Sequence, residues 1–415
     1  MRTPTIARHG RLKKSNPFAT ITRFLAAALA VLMVSGASVA AIAAYDLAAS
    51  VKPGVELVGD DTPVSIPKIG AWEGGLNLLL VGSDSRKGQD PAFGEDDTGD
   101  LNDVTMLLHV SADHSSATVV SFPRDMYVPI PSCPDPEDED NPYPSMSYQK
   151  INTTLSYGGL PCTVLTVEEL TGLDIRFAAE VQFSGVIAMS NAVGGVPVCV
   201  GARIEDEYTG IFLDPGEHTL MGVDALQFLR TRHGVGDGSD LTRIGNQQVF
   251  LSSLMRTIKS ADTLSDPAKL YSLAKAALSN VVLSTQLQNV DNMVAIAMAL
   301  KDIPLEQINF VQYPTGSVDG GVEPNVEAAD ALLAALATDQ PIQLGGATGG
   351  TLPDPNAPVD PNATIDASAV DADGAVVPDA VTDPAAPGAT VLPSDILGQS
   401  AGQYTCSDGR TLDDQ

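Results

Sequence analysis

Basic residues are scarce in this chain: 23 Lys and Arg stand against 52 Asp and Glu in 415 residues, a formal net charge of −29. A chain this acidic repels the phosphate backbone as a whole, which argues against a nucleic-acid binder but leaves room for a local basic pocket. Cysteine is rare as well. Cys133, Cys162, Cys199 and Cys406 are the only four, and their spacings fit no zinc pattern. There is no Walker A loop, no GxGxxG fingerprint and no G-x-S-x-G elbow, and the five histidines do not cluster with a serine. Those absences exclude P-loop, dinucleotide-binding and serine-hydrolase chemistry of the usual kinds.

The charges that are present are unevenly spread. Arg2, Arg8, Arg11, Lys13, Lys14 and Arg23 fill a basic head without an acid, and from about Gly345 the chain is rich in Asp, with Arg410 its single base. Residues 1–23 therefore read as a cytoplasmic segment. Phe24–Tyr45 (FLAAALAVLMVSGASVAAIAAY) carries no charge. As a helix this run is roughly 33 Å long, enough to cross a bilayer. The spacing predicts a single-pass cell-membrane anchor with everything after Asp46 exported; a cleaved signal peptide with small residues near Ala40–Ala44 is the other reading. Export permits disulfides. Cys133 and Cys162 lie in loop-like, Pro-containing sequence and are the favoured pair.

Residues 46–74 read as a spacer leading to a domain over 75–340. Leu76–Val81, Val104–Val110 and Thr118–Phe122 read as strands, the last two as a hairpin through ADHSS. Two polar loops, 87–102 and 131–147, are long enough to carry function. Helical patterns follow at Thr163–Thr171, Ser184–Val193, Gly222–Arg230, Leu241–Ser260, Pro267–Leu278, Thr285–Leu300 and Asn325–Leu336, interleaved with strand-like runs at Phe177–Phe183, Val196–Val200 and Gln307–Gln312. This alternation, with an early hairpin, predicts an α/β fold: an α-β-α sandwich with a mixed central sheet. Residues 341–415, poor in aromatics and rich in Pro, Ala and Asp, read as a disordered acidic tail. Its end, QYTCSDGR, could tether through Cys406.

Three constellations carry chemistry. Asp84 ends a buried strand in GSDSR and Asp103 begins the next in NDVTML. Side by side, two such carboxylates with substrate oxygens suit Mg²⁺; taken alone, both could be turn residues. Arg124 lies in SFPRDMYVPIP, and Arg230 and Arg232 lie in FLRTRHG. Guanidinium binds phosphate bidentately, and three of them can surround a pyrophosphate. In SDLTRIGNQQVFL, Asp240, Arg243 and Gln247 share one helical face behind Ser239 or Asp240 as N-cap. His233 reads as a packing residue rather than a base.

Taken in order, NLLLVGSDSR, NDVTMLLHV, VVSFPRDMYVPIP, KINTTLSYGG, the run to VGGVPVCV and DALQFLRTRHG…DLTRIGNQQVFL closely resemble the LytR-CpsA-Psr family of Gram-positive cell-envelope proteins, over about residues 75–262. The composition, poor in Lys and rich in Ala and Asp, looks actinobacterial. The resemblance implies a phosphotransferase that moves a glycopolymer from a polyprenyl-pyrophosphate carrier onto a peptidoglycan hydroxyl. By position, Asp84 and Asp103 would hold Mg²⁺, and Arg124, Arg230 and Arg232 would clamp the two phosphates. Asp240, Arg243 and Gln247 would order the clamp and touch phosphate oxygens, with Arg86 close by. The resemblance makes Arg124, Asp103 and Asp84 the catalytic residues, and Lys150 and Asn152 supporting ones. Asp84, Asp103 and Asp125 are all open as the acceptor of the hydroxyl proton. Phe183, Val186, Ile187 and Phe228 are candidate walls of a lipid tunnel, with ordinary core the alternative. A pyrophosphatase and a non-catalytic lipid-pyrophosphate regulator are the competing functions.

Overall fold

The computed structural model describes residues 17–59, 72, 74–86, 100–136, 138, 140–260, 263, 266–344, 349–355, 364–365, 381–382 and 389–415. The basic head up to residue 16, loop 87–99 and much of the acidic tail lie outside these. The uncharged run forms helix α1, Pro17–Ala49, longer at both ends than the sequence predicts. It is long and apolar enough to cross a membrane. The chain divides into two units, residues 1–50 and 51–415.

In the second unit, a seven-stranded mixed sheet is built from β1 (Leu76–Ser83), β2 (Asn102–Val110), β3 (Ala117–Phe122), β4 (Phe177–Val181), β5 (Val281–Leu283), β6 (Ile308–Gln312) and β7 (Gly398–Ser400), in the order β5-β4-β1-β2-β3-β6-β7. The pairs β1/β2 and β2/β3 are antiparallel, as the expected hairpin requires, while β1/β4 and β3/β6 are parallel. Alternation along the strands gives the sheet two faces. Leu79, Val81, Leu107, Val120, Phe122 and Val311 pack on one face against α2 (Thr154–Thr171) and α8 (Val326–Ala337). On the other face Phe310 pairs with Gln399, whose amide donates to Ser252 Oγ of α5 (Asp240–Lys259). Helices on both faces make the α-β-α sandwich.

Strands 196–200, 216–220, 351–353 and 405–407 form a smaller sheet beside α4 (Val223–Arg230) and α5, around Val196, Val198, Phe228 and Phe250. Phe228, a candidate tunnel wall, is core here. The remaining helices are α3 (Phe183–Ala192), α6 (Pro267–Asn280) and α7 (Val290–Lys301).

Three expectations need correction. Helix α2 begins at Thr154, well before Thr163, and Gly158 and Gly159 break its geometry. The signal YGGLP hides that first turn, because glycines and a proline inside a pattern read as loop. The glycine is required: a Cβ on Gly158 would stand 2.6 Å from Pro134 O and 3.0 Å from Cys133 Cβ. Next, the spacer is partly integral. Val55 exchanges backbone bonds with Leu283 and Thr285, and buried Trp72 meets Phe177 edge-on at 5.1 Å. Finally, the expectation of a disordered tail fails over residues 389–415. Residues 389–415 supply β7 and strand 405–407, and they bury Leu392, Ile396, Ala401 and Cys406. A composition averaged over the whole tail conceals these few apolar anchors. Two disulfides form: the favoured Cys133–Cys162, and Cys199–Cys406, which ties this terminal segment to strand 196–200.

Candidate active site

Because β1 and β3 both run antiparallel to β2, their carboxyl ends meet at one edge of the sheet, the edge where α/β folds bind ligands. Asp84 follows β1 directly. Its carboxylate accepts the Leu101 N–H at 2.8 Å, and its own N–H donates to Leu101 O at 3.1 Å. Asp103 sits in a β-bulge, because Gly82 pairs with Val104 while Ser83 pairs with Asn102. The extra residue re-aims its side chain toward the site. Gly82 permits this crossing; a Cβ there would meet Val104 Cβ at 2.9 Å.

Arg124 leaves the end of β3 after Pro123. Its Nη1 donates to Asp103 Oδ1 at 2.6 Å, and its backbone N–H donates to Asp240 Oδ2 at 3.0 Å. Asp125 Oδ2 lies 3.9 Å from Arg124 Nε, and Asp125 Oδ1 pairs with Lys150 Nζ at 3.2 Å. Asn152 N–H donates to Arg124 O at 3.3 Å, so the KIN segment holds the arginine's backbone. Burial opposes the charge on Arg124, but Asp103, Asp240 and Asp125 outweigh it and hold the pKa above the ordinary arginine value.

Helix α5 carries the supporting face. Ser239 caps it, accepting from Thr242 N–H at 3.3 Å. Asp240 Oδ1 meets Arg243 Nη2 at 2.6 Å, and that nitrogen also donates to Asp103 O at 2.8 Å. Arg243 is buried, which lowers its pKa against the pull of Asp240, and Arg124 and Arg232 lower it further. Gln247 points elsewhere. Its Nε2 donates to Leu229 O at 3.1 Å, while Asn246 Nδ2 donates to Phe228 O at 2.7 Å. Together they satisfy the last carbonyls of α4, which lack partners within the helix.

Those bonds fix the helix end that carries Arg230. Its guanidinium lies over the Phe183 ring at 4.4 Å and keeps an exposed face. Burial of part of this group, together with Arg86 and Arg243, lowers its pKa despite Asp103 and Asp84. Phe183 is thus a platform for Arg230; Val186 and Ile187, on α3, are half-buried. Arg232 lies two residues on, its Nε donating to Gly238 O at 2.9 Å. Among the described residues, neither Arg230 nor Arg232 forms an ion pair with a carboxylate. Arg86, which has partners of its own, lies within electrostatic reach of Arg230.

Sequence reasoning missed several members of the site. Asp206 accepts from Thr231 Oγ1 at 2.6 Å and from Arg232 N–H at 3.3 Å, holding the Arg-Thr-Arg turn. Asn246 lies beside Gln247 in the sequence but off the Asp240–Arg243–Gln247 face, and no spacing singles it out. Glu180 on β4 is hydrogen-bonded to Ser83, and burial raises its pKa. A lone acid in a strand offers no signal of either role. His233 packs on Tyr208 with ring centroids 4.4 Å apart, as expected of a packing residue.

The donor set at Asp84 and Asp103 is all oxygen, the kind a hard divalent cation takes. Burial, then the charges of Asp103 and Asp100, raise the Asp84 pKa against its backbone bond to Leu101. That concentration of negative charge suits Mg²⁺. Cys199, Asp354 and Cys406 also lie close together, but the two sulfurs are joined in a disulfide and offer no thiolate.

Comparison with known proteins bears on the family and the fold. The model of the LytR_cpsA_psr family matches residues 48–336. The Corynebacterium glutamicum cell wall biosynthesis protein LcpA is 31% identical over 283 residues, 60% of this chain and 52% of its own, so the chain spans about half the length of that relative. The Bacillus subtilis polyisoprenyl-teichoic acid–peptidoglycan teichoic acid transferase TagT is 28% identical over 304 residues, 69% of this chain and 88% of its own. Among solved structures, a LytR-Csp2A-Psr enzyme from Actinomyces oris shares the fold, with a TM-score of 0.51, 22% identity and coverage of 69% of this chain and 96% of its own. With a family match over more than half its length, this chain belongs to the LytR_cpsA_psr family.

Proposed function

We propose that the chain transfers a glycopolymer phosphate from a polyprenyl-pyrophosphate carrier to a peptidoglycan hydroxyl, with Mg²⁺ at Asp84 and Asp103. The observation that carries this reading is a pair of arginines near the sheet edge that no carboxylate among the described residues engages. Arg230 and Arg232 lack carboxylate partners among the described residues, and Arg243 and Arg230 are held below the ordinary arginine pKa by burial and like charge. Arginines crowded in this way favour an anionic ligand rich in oxygen, and a diphosphate is one. The names of the relatives, a cell wall biosynthesis protein and a teichoic acid transferase, support the same chemistry. Helix α1 supplies the anchor, with the second unit on the extracytoplasmic side.

The acceptor hydroxyl oxygen attacks the glycan-side phosphorus. The bond from that phosphorus to the bridging oxygen breaks, and polyprenyl phosphate departs with the electron pair. The hydroxyl proton passes to Asp125, whose nearest cation at hydrogen-bonding distance is Lys150 rather than an arginine. Arg124, Arg230 and Arg232 take up the charge on the phosphate oxygens, and Arg243 and Asp240 hold Arg124 in place. When bound, Mg²⁺ adds charge neutralisation at the same phosphates.

The test is to incubate the full-length protein in detergent micelles with a polyprenyl-linked glycan, Mg²⁺ and peptidoglycan oligomers. Covalent attachment of glycan to the oligomer is the expected result. Release of polyprenyl phosphate without attachment would make the protein a hydrolase, and tight binding without turnover would make it a regulator.

A further inference from the structure

Beside the phosphate clamp lies a second constellation. Strands 127–130 and 146–150 pair antiparallel, with Tyr127 opposite Lys150. Tyr148, two residues from Lys150, therefore shares the face of Tyr127 as its diagonal neighbour. The two rings stack, with centroids 4.6 Å apart and planes within 5°. Lys150 Nζ lies 5.5 Å from the centre of the Tyr127 ring and also pairs with Asp125. The Tyr148 hydroxyl donates to Glu323 Oε1 at 2.5 Å, from the hairpin of strands 315–318 and 321–324. That hairpin seats directly on the clamp's backbone: a Cβ on Gly321 would stand 2.3 Å from Asp125 O.

One face of the Tyr148 ring is covered by Tyr127 and its hydroxyl is tied, yet the residue is 55% exposed. Its outer face is thus a fixed, flat, apolar surface in water, with Glu323 at its hydroxyl edge. A pyranose ring is complementary to such a surface. Its C–H face packs on the electron-rich aromatic face while its hydroxyls reach the polar edge. A ring already immobilised loses little entropy on binding.

We propose that Tyr148, stacked on Tyr127, is a sugar-binding platform that seats a residue of the acceptor glycan. The assignment to the acceptor rests on the transfer reading above. The platform joins the clamp through Asp125, the carboxylate taken to receive the hydroxyl proton, so a sugar on Tyr148 lies on the nucleophile's side of Arg124. An exposed ring outside the buried core is tolerant of substitution, so the variants are expected to fold.

The experiment uses the full-length protein in micelles and a peptide-free tetrasaccharide of alternating N-acetylglucosamine and N-acetylmuramic acid. Titration calorimetry should show binding that Tyr148→Ala weakens about tenfold and Tyr148→Trp retains. In the transfer assay, Tyr148→Ala should raise KM for the acceptor by a similar factor while KM for the polyprenyl-linked donor stays put. Unchanged tetrasaccharide binding and acceptor KM in Tyr148→Ala would overturn the platform. A rise in donor KM alone would move it to the donor sugar and overturn the acceptor assignment. If the wild type binds the tetrasaccharide through Tyr148 but transfers nothing, the platform stands and the transfer reading falls.

Discussion

At the scale of single residues, Arg124 is the junction of the site. Its guanidinium meets Asp103 and its backbone N–H meets Asp240. Arg124→Ala should lower turnover about 10³-fold with little change in circular dichroism, since the backbone bond survives. Arg124→Lys should not restore it, because an ammonium cannot engage Asp103 and a phosphate in one plane. Asp84 yields a pH prediction. Burial, first, raises its folded pKa above the ordinary carboxylate value. The folded state therefore holds this proton more tightly than the unfolded chain. The stability this contributes is fully present below the ordinary value and is lost as pH climbs through the folded one. Asp84→Asn should accordingly melt higher than wild type at neutral pH without metal, with the gap closing in acid. Added Mg²⁺ should stabilise wild type and leave the variant unmoved. A wild type that Mg²⁺ fails to shift would sink the metal assignment.

At the scale of elements, β1, β2, β3 and α5 were legible because their patterns are local, whereas strands 127–130 and 146–150 were not, the second beginning inside what reads as the polar loop 131–147. The short apolar run of Leu76–Val81 and the polar face of α5 announce themselves without tertiary knowledge. What could not be read was where a side chain turns once packed. Gln247 shares a helical face with Asp240 and Arg243, as its spacing implies, yet it bonds Leu229 O at the end of α4. The competing demand was a helix terminus with unpaired carbonyls, which sequence does not place beside α5. Gln247→Leu should leave that carbonyl unsatisfied and cost about 1–3 kcal/mol in denaturant unfolding. It should also weaken pyrophosphate binding by loosening Arg230. An unchanged unfolding midpoint would show that water replaces the amide. The bulge at Asp103 was equally hidden, since it depends on register between two strands rather than on either one.

At the scale of the whole molecule, the sandwich follows from the alternation of elements, but its closure does not. The main sheet ends in β7 and the smaller sheet contains strand 405–407, both drawn from a stretch whose average composition forbids a core. Cys199–Cys406 closes a loop with a sequence separation of 207. In the chain-entropy picture such a link contributes about 5 kcal/mol. Cys406→Ser should lower the unfolding midpoint strongly, costing about 2 kcal/mol more than Cys133→Ser, whose bridge spans a separation of 29. Equal losses in the two variants would mean that strain or residual structure, not loop entropy, sets the stability of these links.

The return of the terminal segment also bears on how the protein can be handled. Gly236 N–H donates to Asp408 O, and Arg410 Nη1 donates to Asp237 O, in the loop that presents Arg232. A reporter fused after Gln415 would pull on that loop and so on the phosphate clamp. A reporter inserted in the Pro/Ala/Asp-rich stretch between residues 355 and 389 would have both flanks already fastened to the domain. Labelling there should preserve activity where labelling at the end does not.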